Sequence, residues 1–276
     1  MALTRFWFIL LLLFCTSSQA AVQTLQQDEL PNYAFAPFIG SGIYATRDRT
    51  VTVFNFPISY DMRTIEEDGW GLEVTTPVTI GLFNFDFRDL EIPDLREQLG
   101  TLSFVPGLHF HLPVSKQWIL TPLVDLGVGK ASSGSDFAWI YSIGLESRYN
   151  FDWHSYDLLL GNRFRYAGYQ LHESDIRDDY YSFETGLDVL LPTHLNHFGW
   201  KARFNAYAMN QLYFGDLDFV NPLGQSHEVD VLWEVGFTID LSTNTDTGIF
   251  ELPRIGLGYR FGDGLGLIRL VFGRMF

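Results

Sequence analysis

The sequence predicts an all-β fold: a single transmembrane antiparallel up-and-down β-barrel of about 12 strands. Three observations carry this expectation. Hydrophobicity alternates with a period of two along most of the chain, which sorts the residues onto two faces. The alternating runs outlast the roughly 5–6 residues of a soluble strand and reach the roughly 9–11 that a tilted membrane strand needs. Beyond residue 20 no run of 18 apolar residues provides a transmembrane helix.

Residues 1–20 have the pattern of a cleaved signal peptide. Arg5 precedes the apolar run Phe6 to Cys15, and Ser18 and Ala20 offer small residues for cleavage before Ala21. Phe14 stands before Cys15 where lipoprotein processing needs a small residue, so lipidation is not expected. Cleavage removes the single cysteine, and with it any disulfide, thiolate nucleophile or Cys-ligated metal. Loss of Arg5 moves the formal charge from −15 to −16, which argues against nucleic acid as a partner. Residues 21–35 form a short periplasmic or lumenal stub, and 36–276 form the barrel, with no linker or break in composition to divide it.

Strands are predicted near 36–47, 50–63, 69–83, 101–114, 117–130, 136–150, 153–169, 178–192, 198–213, 226–242, 249–262 and 264–276. The face assignments come from alternation. In the tenth strand Val229, Val231, Trp233, Val235 and Phe237 oppose Glu228, Asp230, Glu234 and Asp240. In the eighth, Tyr181, Phe183, Leu187 and Val189 oppose Ser182, Glu184, Gly186 and Asp188. The apolar stripe is the lipid face. Open edges do not survive in lipid, so such strands must close on themselves.

The polar stripe then lines the lumen. It carries Arg163 and Arg165 on strand seven, Glu184 and Asp188 on strand eight, and Lys201 and Arg203 on strand nine. Glu228, Asp230, Glu234 and Asp240 follow on strand ten, Arg254 and Arg260 on strand eleven, and Arg269 on strand twelve. Neighbouring strands alternate in sign, which permits pairing within the wall. Inward Leu159, Leu190, Tyr207 and Met209 point to a constricted interior. Trp70, Trp118, Trp153 and Trp200 all fall at the starts of odd-numbered strands, just after short turns, and would form one periplasmic girdle. The long connections, Asn84 to Gly100 and Phe214 to Gln225, fall on the other side.

The last strand places Ile268, Leu270, Phe272 and Phe276 on one face, with Arg274 as a departure from an otherwise apolar pattern. This resembles the C-terminal signal read by the barrel-assembly machinery, carried here by Phe272 and Phe276. With the Gly-punctuated stretch Gly256 to Leu267 and the stretch Pro106 to Lys130, the chain resembles the solitary autotransporter-like outer-membrane barrels of Gram-negative bacteria. The resemblance implies Sec-dependent export, periplasmic chaperones and the assembly machinery as partners, outer-membrane lipid as surroundings, and a monomer. It implies no cofactor. Only 21–35 would be available as a passenger.

Candidate chemistry is sparse. His109 and His111 share the lumen face two residues apart, a spacing that supplies two metal ligands but no identifiable third. His154-Ser155 and Ser226-His227-Glu228 have hydrolase residue types, yet neighbours on a strand point apart. Asp178-Asp179 has the character of solvated acids at a loop mouth. No catalytic and no metal residues are therefore assigned, and an enzyme is not expected. The rival readings are a narrow, porin-like diffusion channel similar to the nucleoside channels, and, more remotely, an outer-membrane hydrolase.

Overall fold

The computed structural model describes residues 36–45, 50–83, 99–131, 136–175, 177–197, 200–214, 218–220, 226–228, 230–243, 254–262, 265–273 and 275–276. The signal peptide, the stub and most of the long connection after strand three lie outside these residues. The fold is a closed antiparallel barrel of 12 strands. No helix among the described residues is long and apolar enough to cross a membrane, so strands are the long elements here.

Five strands run unbroken: β8 (Trp118–Ala131), β9 (Phe137–Trp153), β10 (Tyr156–Leu171), β11 (Arg177–His197) and β12 (Trp200–Phe214). They are the stretches where alternation is cleanest. Three earlier strands are each cut in two by proline, which has no N–H for the ladder. Pro57 separates β2 (Thr50–Phe56) from β3 (Ser59–Arg63), and Pro77 separates β4 (Gly71–Thr75) from β5 (Val78–Phe83). Pro106 separates β6 (Leu99–Phe104) from β7 (Gly107–Pro113). The three prolines fall in one row, because Phe56 pairs with Val78 and Val78 with Phe104. Hydrogen bonds from Thr76 N to Ile58 O (2.6 Å) and from Leu126 N to Pro106 O (2.9 Å) bridge that seam.

The remaining wall is β15 (Val231–Thr243), β16 (Ile255–Gly262) and β17 (Leu265–Phe272), and β17 closes the barrel on β1 (Gly42–Ala45) through Arg269 and Gly42. The boundaries differ from the predicted strands at several places. β11 runs on to His197 where the eighth predicted strand ends near 192, and β10 begins at Tyr156 where the seventh begins near 153. Three further differences stand out. The predicted first strand begins as a helical turn, α1 (Ala36–Ile39), with Pro37 tolerated in its first turn. The predicted tenth strand begins only at Val231, since Ser226–Glu228 (β14) pairs with Asp218–Val220 (β13) in a separate two-stranded ribbon. The predicted twelfth strand stops at Phe272, where Gly273 takes a φ of 81°. Only glycine adopts that left-handed conformation without strain, and there the chain leaves the wall.

Candidate functional site

The inner wall between β9 and β17 is a lattice of ion pairs. Glu146, Arg163 and Glu184 stand opposite one another in a single row across β9, β10 and β11. Adjacent strands lie about 4.8 Å apart, a gap that a guanidinium fork spans in both directions. Arg163 donates to Glu146 Oε2 from Nε at 3.0 Å and Nη2 at 2.7 Å, and to Glu184 Oε2 from Nη1 at 3.0 Å. The sign is reversed around Glu234, which is fully buried between two arginines. It accepts from Arg260 Nε at 2.8 Å, from Arg269 Nη1 at 2.9 Å and from the Tyr207 hydroxyl at 2.8 Å.

Two further pairs extend the lattice. Arg254 binds both carboxylate oxygens of Asp188, one of them at 2.8 Å, although β12 and β15 lie between their strands. Arg203 meets Asp240 at 2.5 Å near the short-turn end, where both are substantially exposed. Thus Arg163, Glu184, Asp188, Glu234, Arg254, Arg260 and Arg269 are joined by ion pairs on the lumen wall. Arg165 faces inward as well, with its guanidinium over the ring of Phe38 at 4.9 Å.

Two assigned residues leave the wall. Glu228 belongs to the β13–β14 ribbon, where it pairs with Asp218. Asp230 is exposed ahead of β15, its carbonyl accepting from Tyr213 N at 2.8 Å. Alternation runs on through this stretch because the ribbon is itself extended, so period alone does not mark where the wall begins. Lys201 pairs with Asn196 and Ser242 in the β12 ladders, and its side chain lies outside the described ones.

An apolar cluster of the chain's own residues occupies the interior beside this wall. Phe276 does not continue the outer face of β17. Beyond Gly273 it turns into the lumen, where it is buried with Met275, Val271, Tyr207 and Met209, and Leu159 packs on the cluster. The guanidinium of Arg163 lies 5.3 Å from the Phe276 ring, and its Nη2 donates to the Met275 carbonyl at 3.0 Å. The ring rests on Gly161 and Gly186, which pair directly across β10 and β11. A Cβ on Gly161 would come within 2.1 Å of Phe276 Cδ2. From the other side α1 enters, tied by Asn55 Nδ2 donating to the Pro37 carbonyl at 2.8 Å. Between α1 and the wall lies a cavity of about 180 Å³, lined by Arg163, Arg165, Arg260 and Arg269 among others.

The four tryptophans lie at the short-turn end. Trp118 opens β8 and donates from Nε1 to Ser147 Oγ at 2.9 Å, and Trp200 opens β12. Trp70 precedes β4, stacks on Phe110 at 6.4 Å and carries the Arg63 guanidinium at 4.7 Å. Trp153 closes β9 rather than opening the next strand, because His154 and Ser155, with φ 58° at His154, make the hairpin turn. His154 and Ser155 thus form the turn between β9 and β10. The sequence reading missed a second aromatic row toward the other end, where Tyr141, Tyr166 and Tyr181 make ring contacts at 6.1 and 4.8 Å across β9, β10 and β11. Trp153 and Tyr141 are 12 residues apart on β9, about 40 Å of strand, and a tilt near 45° reduces this to about 28 Å. That matches a bilayer's hydrocarbon thickness. Between the rows Ile143, Leu145 and Phe237 face outward and exposed.

His109 and His111 face the lumen, as the alternation requires, and they meet Glu73 from β4. Asp178 and Asp179 lie at the start of β11, the first half-buried and the second exposed.

Among solved structures, the chain is similar to the β domain of the Bordetella autotransporter BrkA. The identity is 13% and the TM-score 0.48, over 84% of this chain and 92% of that one. No family model and no curated protein matches the sequence.

Proposed function

We propose that this chain is an integral outer-membrane barrel, an autotransporter-like wall whose lumen is closed by its own residues, so that it serves as a scaffold and not as a diffusion channel or an enzyme. The observation that carries the reading is the packing of Met275 and Phe276 against Arg163, Gly161 and Gly186 in the middle of the wall. The ion-pair lattice supports it, since it ties strands from β9 to β17 to one another instead of leaving their charged side chains in open water. Outer-membrane lipid is the partner of the apolar belt, and the assembly machinery and periplasmic chaperones act during biogenesis. The barrel functions as a monomer, with the short-turn end toward the periplasm.

Proteoliposome swelling tests the closed lumen. Liposomes carrying the refolded chain should swell in arabinose no faster than empty ones, with a general porin as positive control. Swelling at a rate comparable to the porin would overturn the reading in favour of a channel.

A further inference from the structure

We propose that Asp61, Glu73 and His111, with His109 at their edge, form a lumenal binding site for a divalent transition-metal cation of the zinc type. Asp61, Glu73 and His109 stand opposite one another in one row across β3, β4 and β7, and Gly71 pairs with His111 one step along. All four side chains therefore project from neighbouring strands into the same side of the lumen, where cross-strand neighbours have Cβ atoms about 5 Å apart.

The ligand atoms of Asp61, Glu73 and His111 already converge, and His109 adjoins the set through Glu73. Glu73 Oε2 lies 3.2 Å from His111 Nε2 and 3.9 Å from His109 Nδ1. Ligands at about 2.05 Å from a tetrahedral zinc lie about 3.3 Å from one another, so small side-chain rotations close the set. One ligand atom each from Asp61, Glu73 and His111 falls within 4.8 Å of the others. Two imidazoles with carboxylates suit zinc rather than calcium or magnesium, which prefer all-oxygen sets.

The far nitrogen of each imidazole is also held. His109 Nε2 lies 3.3 Å from Asp125 Oδ1, and Asp125 in turn accepts from the Ser142 hydroxyl. His111 Nδ1 lies 3.0 Å from Thr121 Oγ1. A carboxylate or hydroxyl behind each ligating histidine fixes its ring and its tautomer, as metal sites require. Arg148 Nη2, 3.1 Å from His111 Nδ1, competes for that nitrogen. Binding at Nε2 moves the His111 proton to Nδ1, where Thr121 accepts it, and leaves Arg148 to Glu146, 3.6 Å from its Nε.

The charge environment sets this cluster apart. Elsewhere Glu146, Glu184, Asp188 and Glu234 each meet an arginine, whereas Glu73 and Asp125 meet these histidines. Glu73 and both imidazoles are partly accessible from the lumen, which gives the ion an entry path. The cation would fasten the short panel β3–β4–β7, which the proline row separates from the rest of those strands.

The full chain, refolded in detergent micelles and stripped with chelator, should bind one Zn²⁺ in isothermal titration calorimetry, with a Kd on the order of 1 µM or tighter. Co²⁺ should give the visible absorption of a low-coordinate site, and Mg²⁺ should not compete. His109→Ala/His111→Ala should weaken Zn²⁺ binding at least about 100-fold, and Asp125→Asn, which keeps every ligand, about 10–100-fold. His194→Ala/His197→Ala should leave affinity unchanged. Heat-modifiable mobility reports whether each variant folds, and Glu73→Gln substitutes if the double variant does not. Absence of saturable Zn²⁺ binding by the wild type overturns the proposal. So does undiminished affinity in a folded His109/His111 or Glu73 variant, or loss of binding only in the His194/His197 variant.

Discussion

Glu234→Ala removes the carboxylate on which the β15–β17 sector converges. Glu234 has 0% exposure and Arg260 1%, so the Arg260 guanidinium cannot turn to bulk water, while Arg269 is only partly accessible. The substitution strands Arg260 and Arg269 beside each other and leaves the Tyr207 hydroxyl without its acceptor at 2.8 Å. Breaking a buried pair by removing one partner costs about 3–5 kcal/mol, and an unsatisfied hydroxyl adds roughly 1–3. These contributions share atoms and do not add in full, so about 4 kcal/mol is expected. The measurement is the urea midpoint of the refolded protein in lipid vesicles, followed by tryptophan fluorescence. Glu234→Ala with Arg269→Ala should recover at least about 1 kcal/mol of the loss, because one stranded cation is gone. A single-variant loss below about 1 kcal/mol, or strict additivity of the double variant, would refute the account of a closed ion-pair lattice.

Other substitutions separate the parts of the structure. Gly161→Val places a side chain where the Phe276 ring lies, and should lower stability by about 1–3 kcal/mol in urea titration. Phe237→Arg puts a charge in the middle of the outward belt, where about 2–4 kcal/mol of destabilisation in vesicles is expected. Arg203→Ala breaks a half-exposed pair and should cost less than about 1 kcal/mol in the same titration, in contrast to Glu234→Ala.

Much of the barrel was legible because period two is unambiguous over long runs. From Trp118 to Phe214 the predicted strands coincide with β8 to β12 within about five residues, and sign alternation set a basic strand seven beside an acidic strand eight, the two strands on which Arg163 meets Glu184. Parity fails where the backbone changes hand or leaves the wall. Phe272 and Phe276 share parity, but the positive φ of Gly273 turns the second into the lumen. Glu228 keeps the alternation of β15 while belonging to another ribbon. Contacts that depend on register were hidden altogether. Nothing along the chain links Arg254 to Asp188, because strand tilt decides which residues meet across the lumen. Likewise His109 and His111 showed only as an i, i+2 pair, since Asp61 and Glu73 reach them through two rows of cross-strand pairing. Gly161 and Gly186 had no signal beyond being glycines, because what they accommodate comes from residue 276.

Single-channel recording in planar bilayers tests the closed lumen most directly. The refolded wild-type chain should show a flat current with no resolved conductance steps, and Phe276→Ala combined with Arg163→Ala, which removes the ring and the group that holds it, should show discrete openings. Stable open steps from the wild type, unchanged in the double variant, would contradict the claim that Met275, Phe276 and the arginine lattice seal this barrel.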